Sequence, residues 1–126
     1  MKHLTKVLFV FVALFLSTTV YAQSGQEIYA EANNINAEAD KQLNAAYDQL
    51  IKGIRADNER DRAELLVARL QESQRAWLKY RDAQVAFVGI HANIGSASSR
   101  ALGMASYSAE LTKERIKDLT TIPNPF

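Results

Sequence analysis

The segment Gln74–Asp82, with the sequence QRAWLKYRD, holds the residue types in this 126-residue chain that are best suited to specific polar chemistry. Its spacing places Gln74, Trp77 and Arg81 on one face of a helix, because side chains three or four positions apart are neighbours there. A face that combines an aromatic ring, an amide and a guanidinium needs polar partners. A buried guanidinium in particular must be paired with acceptors.

Pairing between helices is therefore the role that we predict for this segment. Trp77 is expected to anchor the hydrophobic core, and Arg81, Asp82 and Arg115 to form a structural polar core that fixes the register of the helices. Asp82 is a candidate partner for Arg115. The alternative is a polar patch that binds another molecule. The candidate acceptors for Arg81 are four carboxylates: Asp40, Asp48, Glu110 and Glu114.

A second candidate site is the segment His91–Ser99, with the sequence HANIGSASS. A loop between two helices lies at one end of a bundle, where it is exposed and free to carry a binding function. Glycine and serine at its tip offer backbone and hydroxyl groups to a partner. The alternative is an ordinary flexible connector. The residues that we predict to bind a protein partner are His91, Asn93, Gly95, Ser96 and Ser98.

Catalytic and cofactor chemistry find little support in the sequence. From residue 23 onward the chain has one histidine, His91, and the whole chain has no cysteine, so a nucleophile and its base are difficult to assemble. Ser96 has no evident orienting acid. One histidine with scattered carboxylates is not the usual ligand set of a metal site. We therefore predict that the protein is not an enzyme and that it uses no cofactor or metal.

The first 22 residues have the pattern of a secretory signal peptide cleaved after Ala22. Met1–Lys6 contains two lysines, Val7–Leu16 is almost entirely apolar, and Val20-Tyr21-Ala22 fits the small-x-small rule for cleavage. An uncleaved N-terminal anchor is the competing interpretation. No later segment approaches the roughly 20 apolar residues of a membrane span. The predicted location is periplasmic or secreted.

The charge balance after residue 22 excludes a general electrostatic attraction to nucleic acid. Two of the fifteen Lys and Arg residues and none of the fourteen Asp and Glu residues lie in residues 1–22, which leaves a formal net charge of −1. Such a balance gives no general electrostatic attraction to phosphate backbones or anionic membranes. The predicted partner is therefore a protein, recognised through local contacts.

The hydrophobic pattern predicts an all-α fold, a small antiparallel bundle of three main helices, for a single domain over residues 23–126. The sequence Ser24-Gly25-Gln26-Glu27 has the form of a capping box, which is typical of the start of a helix. Asparagines at 33, 34 and 36 disfavour a helix that continues from there into the first main helix. Together these features favour a short leading helix. The expected core faces are Leu43, Ala46, Tyr47, Leu50 and Ile54; then Leu66, Leu70, Trp77, Arg81, Val85 and Val88; then Leu102, Ala105, Ala109, Thr112, Ile116 and Leu119.

Three segments are expected to interrupt these helices. Gly53 and the polar run Arg55–Arg60 mark the end of the first, after which Asp61 has the position of a helix cap. The segment Gly89–Ser99 separates the second helix from the third because glycine, asparagine and serine break helices. Thr120 and the proline-containing tail end the third.

The order and spacing of several short motifs resemble the lysozyme inhibitor LprI-like N-terminal domain family over Glu38–Leu119. The resemblance implies an exported, all-helical bacterial domain that inhibits lysozyme. The motifs are Asp40-x-x-Leu43-Asn44-x-x-Tyr47-x-x-Leu50, Gln74-Arg75-Ala76-Trp77, Tyr80-Arg81-Asp82-Ala83 and Leu111-Thr112-x-x-Arg115-x-x-x-Leu119.

One departure from the family pattern concerns its cysteines. The family commonly has one cysteine after the arginine–aspartate pair and another before the Leu-Thr-x-x-Arg segment. Val85 and Tyr107 stand at those places here. The resemblance therefore implies that an apolar contact replaces an inter-helix disulfide.

The resemblance also gives the loop a possible target. Lysozyme-type sites use two carboxylates in a groove, and a glycine–serine tip in the segment Gly89–Ser99 is narrow enough to block one. We predict a protein that binds and inhibits lysozyme in this way. The alternative is a non-inhibitory periplasmic binding module, such as a toxin-immunity partner or an envelope-stress partner. A third alternative is a purely structural domain.

Overall fold

Three α-helices make up almost all of the described backbone in the computed structural model: α1 (Lys2–Asp57), α2 (Arg60–His91) and α3 (Ala97–Thr120). The structure describes the backbone of residues 2–92 and 95–122 and the side chains of residues 24–92 and 95–122. No strand occurs within these ranges. The predicted all-α fold with three main helices is confirmed. Across the described residues, no helix is long and apolar enough to cross a membrane.

Helix α1 is continuous through the asparagines, so the prediction of a separate short leading helix is wrong. Asn33 and Asn34 are exposed, while their neighbour Ala32 is buried at 5% exposure. An asparagine in a helix costs only a few tenths of a kcal/mol relative to better helix formers. Packing of one helix face supplies most of the stability of helices in proteins, and it outweighs this cost here.

The connection between α1 and α2 consists of Asn58 and Glu59. The Asn58 side-chain amide donates a hydrogen bond to the carbonyl oxygen of Ile54 at 2.8 Å, which satisfies one of the free carbonyl groups at the end of α1. Gly53 lies inside α1 rather than ending it. The N-cap of α2 is Glu59, which makes no side-chain capping bond, and Asp61 lies in the first turn instead of capping the helix as predicted.

Gly89 is a packing residue of α2 and not a helix breaker. It is buried, and α2 continues beyond it to His91. A Cβ atom at this position would lie 2.5 Å from Sδ of Met104 on α3. The absence of a side chain therefore permits a close approach of α2 to α3.

The core lies along the line where the three helices meet, with α2 antiparallel to both α1 and α3. Helix α1 packs most extensively on α3 and least on α2. The residues of the predicted faces are buried or half-buried with one exception, since Leu66 is exposed and Ala63 and Val67 are buried instead. The buried centre is Leu43, Leu70 and Leu119, packed against Tyr47, Leu50, Ile51, Ile54, Trp77, Leu78 and Ile116.

Candidate functional site

Arg81 lies at the centre of a group of polar side chains that joins all three helices. Its Nη1 atom donates to Oδ1 of Asp40 on α1 at 2.7 Å and to Oγ1 of Thr112 on α3 at 3.4 Å. Its Nε atom donates to Oδ1 of Asp82 at 3.1 Å. Thr112 is fully buried, and its hydroxyl donates to the carbonyl oxygen of Ser108 at 2.8 Å. A change in the position of any one helix would break one of these bonds.

The Arg81 guanidinium is largely covered, whereas its acid partners are not. Its side chain is 12% exposed, against 52% for Asp40 and 70% for Asp82. Burial on its own lowers the pKa of Arg81, but the hydrogen bonds and negative charges of the two carboxylates raise that pKa above its ordinary value. The two carboxylates therefore favour the charged form of the guanidinium.

Trp77 lies between two guanidinium groups. The Cζ atoms of Arg81 and Arg115 are 5.4 and 5.9 Å from the centroid of its ring, within the range of cation–π attraction. Arg115 of α3 donates from Nε to Oε1 of Gln74 at 3.1 Å and from Nη2 to Oγ of Ser73 at 2.9 Å, both on α2. We call Asp40, Gln74, Trp77, Arg81, Thr112 and Arg115 the polar seam.

The structure brings together the residues of the predicted polar core, but some of their hydrogen-bond partners differ from those predicted. Of the four candidate acceptors for Arg81, Asp40 is the one in contact. Asp82 pairs with its neighbour Arg81 and not with Arg115, because Arg115 lies beside Gln74, about two helical turns along α2 from Asp82. Apart from its place on the same face as Trp77, nothing in the sequence marks Gln74 as the acceptor of this bond.

The connection between α2 and α3 comprises residues 92–96, a shorter segment than the predicted Gly89–Ser99. His91 is the last residue of α2, and its ring stacks on Phe87 with centroids 5.7 Å apart. Asn93, a predicted binding residue, lies outside the described residues. Gly95 has a positive φ of 55°, a conformation that glycine adopts without strain. Gly95 and Ser96 are exposed.

Ser96 has a local structural role that the sequence prediction did not assign to it. It is the N-cap of α3, and its Oγ atom accepts a hydrogen bond from the backbone N–H of Ser99 at 3.2 Å. The same oxygen lies 3.0 Å from the hydroxyl oxygens of Ser98 and Ser99. Ser98 and Ser99 are therefore part of the first turn of α3 and not of a loop. The backbone N–H groups that start α3 remain at the exposed end of the bundle.

The sequence was compared with models of known protein families, and the comparison identifies its family. A family model described as Lysozyme inhibitor LprI matches residues 17–119. The chain belongs to this family. The match confirms the resemblance found over Glu38–Leu119 and extends it toward the N-terminus. No curated protein and no solved structure matches the chain.

The two positions at which the LprI family pattern led us to expect cysteines lie on α2 and α3. Val85 and Tyr107 are both half-buried. The Tyr107 hydroxyl accepts a hydrogen bond from Nε2 of Gln84, the neighbour of Val85, at 3.3 Å. A polar bond between α2 and α3 therefore forms beside the position where the resemblance implied an apolar contact.

A groove beside the polar seam is lined by residues of all three helices. It has a volume of about 500 Å³ and is lined by Tyr29 and Asn33 of α1, Val85 of α2 and Met104 of α3 as well as by Asp40 and Asp82. Within the described ranges, no three His, Asp or Glu side chains are grouped closely enough to hold a metal ion.

Proposed function

We propose that this member of the LprI family is an exported inhibitor that binds lysozyme and blocks the enzyme's substrate cleft. The observation that carries the proposal is the family match over residues 17–119. Residues 1–22 would act as a cleaved signal peptide and deliver the protein to the periplasm or the exterior, where lysozyme meets peptidoglycan. An inhibitor family implies a binding role rather than catalysis.

The end of the bundle formed by the α2–α3 connection is the surface that we assign to the enzyme. Gly95, Ser96 and Ala97 are exposed there, at the start of a helix of 24 residues. The first N–H groups of a helix have no partner within it, and the helix dipole gives this end a partial positive charge. The catalytic carboxylates in the groove of a lysozyme-type enzyme would complement both features.

The capping bond of Ser96 refines the proposed mechanism. Because its hydroxyl oxygen is already engaged with Ser98 and Ser99, the contact with a carboxylate would come mainly from backbone N–H groups at the start of α3. A net charge of −1 after residue 22 gives little long-range attraction to a basic enzyme. Affinity would therefore depend on close fit at the cleft.

The first test is residual lysozyme activity on peptidoglycan with the purified protein in increasing molar excess, across the different classes of lysozyme. We expect inhibition that saturates with the inhibitor concentration for at least one class. Absence of inhibition for every class at high excess would overturn the proposal.

A matched pair of substitutions tests the role of the α3 N-terminus. Ser96→Asp and Ser96→Asn both keep a good N-cap, so both should retain the fold. Only Ser96→Asp adds a negative charge facing the catalytic carboxylates, and it should weaken inhibition tenfold or more while Ser96→Asn changes it little. Equal inhibition by the two variants would contradict contact between this end and the carboxylates.

A second pair tests steric blocking. Ala97→Trp adds bulk at the exposed start of α3, and Ala68→Trp adds the same bulk at an exposed position in the first third of α2. We expect a loss of inhibition for Ala97→Trp alone. If Ala68→Trp is the damaging variant, the enzyme binds the side of the bundle instead.

Export is tested separately from inhibition. Mass spectrometry of the protein recovered from the periplasm of an expressing bacterium should give the mass of residues 23–126. Recovery of the full-length chain in the membrane fraction would favour the uncleaved anchor.

A further inference from the structure

The groove beside the polar seam takes much of its polar character from one face of α1. Tyr29, Asn33, Asn36 and Asp40 all line it. They follow one another at intervals of four, three and four residues, so they lie in a row on that helix. The row is about 16 Å long at 1.5 Å per residue. We call these four residues the polar row, and its length suits a short oligomeric ligand.

Small side chains leave the space in this groove. Ala32 of α1 and Ala105 of α3 line it and are only 5% and 2% exposed. Because neither side chain reaches beyond its Cβ atom, the groove keeps a volume of about 500 Å³, which is within the usual range for sites that hold small molecules. Val85 of α2 and Met104 of α3 also line it. A ligand therefore meets the polar row on α1 and apolar side chains on the other two helices.

Several polar groups of the groove are not used by the fold. Asparagine is a poor helix former, yet the side-chain amides of Asn33 and Asn36 make no hydrogen bond to any described residue. Asp40 and Asp82 each accept a bond from Arg81 through Oδ1. Within the described ranges, the Oδ2 atom of each carboxylate accepts no bond. Two amides and two carboxylate oxygens are therefore available to a ligand.

The mixture of donors and acceptors decides which class of ligand fits. An anion needs donors, and the two carboxylates repel it. A cation needs acceptors alone, but the Arg81 guanidinium bonded to both carboxylates offsets their charge, and the two amides present N–H groups as well. A hydroxyl group both donates and accepts. A neutral ligand that is rich in hydroxyl groups therefore satisfies the amides and the carboxylates together.

We propose that this groove binds a short saccharide that carries N-acetyl groups. The sugar hydroxyl groups bond to Asn33, Asn36 and the free carboxylate oxygens, and the apolar face of one sugar ring packs on the ring of Tyr29, which is 44% exposed. The methyl of an acetamido group is covered by Val85 and Met104, whose apolar surface a plain sugar leaves in water. None of the described residues of the α2–α3 connection lines the groove, so the site does not rest on the proposed contact with lysozyme.

The test is a titration of the purified, isotope-labelled protein with triacetylchitotriose, a neutral trisaccharide of N-acetylglucosamine, followed through the backbone amide resonances in NMR spectra. We expect saturable shifts that are largest at residues lining the groove. The dissociation constant should be on the order of 1 mM, because an open groove covers only part of the ligand. Maltotriose, which has hydroxyl groups but no acetamido group, should bind several-fold more weakly. Spermidine tests the cationic alternative and should give no saturable shifts at the groove.

Two neighbouring asparagines provide a matched pair of variants. Asn33→Ala removes an amide of the polar row, whereas Asn34→Ala removes an exposed amide that lines a different groove, between α1 and α3. Alanine is the best helix former, so both variants should keep the fold, which circular dichroism checks. Only Asn33→Ala should raise the dissociation constant, by about fivefold for one lost hydrogen bond. Tyr29→Ala should raise it about tenfold, and Tyr80→Ala, which removes a ring of similar exposure outside the groove, should leave it unchanged.

Four results would overturn the proposal. The first is absence of saturable binding of triacetylchitotriose up to about 20 mM. The second is equal affinity of Asn33→Ala and Asn34→Ala for the sugar, which would place it elsewhere on the molecule. The third is binding of spermidine at the groove with displacement of the sugar, which would show a cation site. The fourth is equal affinity for maltotriose, which would remove the role of the acetamido groups. Because no lysozyme is present in the titration, these results stand whether or not the protein inhibits that enzyme.

Discussion

The polar seam and the α2–α3 connection both use polar side chains, but over very different distances along the chain. Arg81 bonds to Asp40 and Thr112, which are 41 and 31 residues away, and Arg115 bonds to Gln74 at a separation of 41. The side-chain hydrogen bonds of Ser96 reach only two or three residues along the chain. The seam therefore holds three helices in register, and the connection organises only the start of one helix.

This difference separates residues that build the scaffold from residues that are free to meet a partner. Within the described residues, every buried side-chain nitrogen and oxygen has a hydrogen-bond partner, so the interior of the seam has no unused polar group. At the connection, the exposed backbone of Gly95 and Ser96 is held in place locally. Substitutions in the seam should mainly change stability, and substitutions at the connection should mainly change binding.

The largest expected effect is that of Trp77→Ala. Removal of a buried tryptophan costs about 3–5 kcal/mol, and because Trp77 is half-buried we expect about 3 kcal/mol of the free energy of unfolding to be lost. Urea denaturation followed by circular dichroism measures it. Trp77→Phe, which keeps an aromatic face for Arg81 and Arg115, should lose less than half as much. Equal losses would show that ring size, and not cation–π contact, decides the effect.

Arg81→Ala is expected to have the next largest effect, about 2 kcal/mol. Breaking a buried ion pair costs about 3–5 kcal/mol when a charge is left uncompensated in the interior. Here the carboxylates left behind, Asp40 and Asp82, are more than half exposed, which reduces the cost. Arg81→Met keeps most of the side-chain volume and separates packing from charge. A loss below 0.5 kcal/mol for both variants would contradict the role of the seam in stability.

The number of helices and most of their buried faces could be predicted from the sequence because apolar periodicity is a local property. The pairing within the seam could not be fully predicted, since it depends on the register between distant segments. Asp40 was one of four acceptors open to Arg81, and the bond from Arg115 to Gln74 was not expected. Helix continuity through Asn33 was also missed, because packing of α1 on α3 is not visible in local propensity.

The capping role of Ser96 was missed although the sequence pattern that indicates it is local. A serine immediately before a helix is among the preferred N-caps, and Gly95 before it permits the turn that leads into α3. The glycine–serine composition instead predicts a loop that contains Ser96 and Ser98 as residues that bind a partner. Ser96 can still lie at the proposed contact with lysozyme, because a cap residue at the exposed end of a bundle is itself accessible.

Ser96→Ala should have a smaller effect on stability than either substitution in the seam. Loss of an N-cap side chain costs about 1 kcal/mol, and the backbone N–H of Ser99 would then be left to water at the exposed end of α3. Thermal unfolding should show a modest decrease in Tm relative to wild type. A decrease as large as that of Trp77→Ala would mean that the connection is as important to the fold as the seam.

The smallest expected effect is that of alkaline pH on the contribution of Arg81. Its pKa is raised above the ordinary value in the folded protein. A group with a raised pKa contributes its full stabilisation at pH values below its unfolded pKa, and loses it only as pH rises through the higher folded pKa. Arginine is effectively always protonated in the unfolded chain as well.

The difference in unfolding free energy between wild type and Arg81→Met should therefore stay constant from pH 7 to pH 10, measured by urea denaturation at each pH. A difference that shrinks in this range would show that another titrating group, and not the Arg81 guanidinium, supplies the stability of the seam.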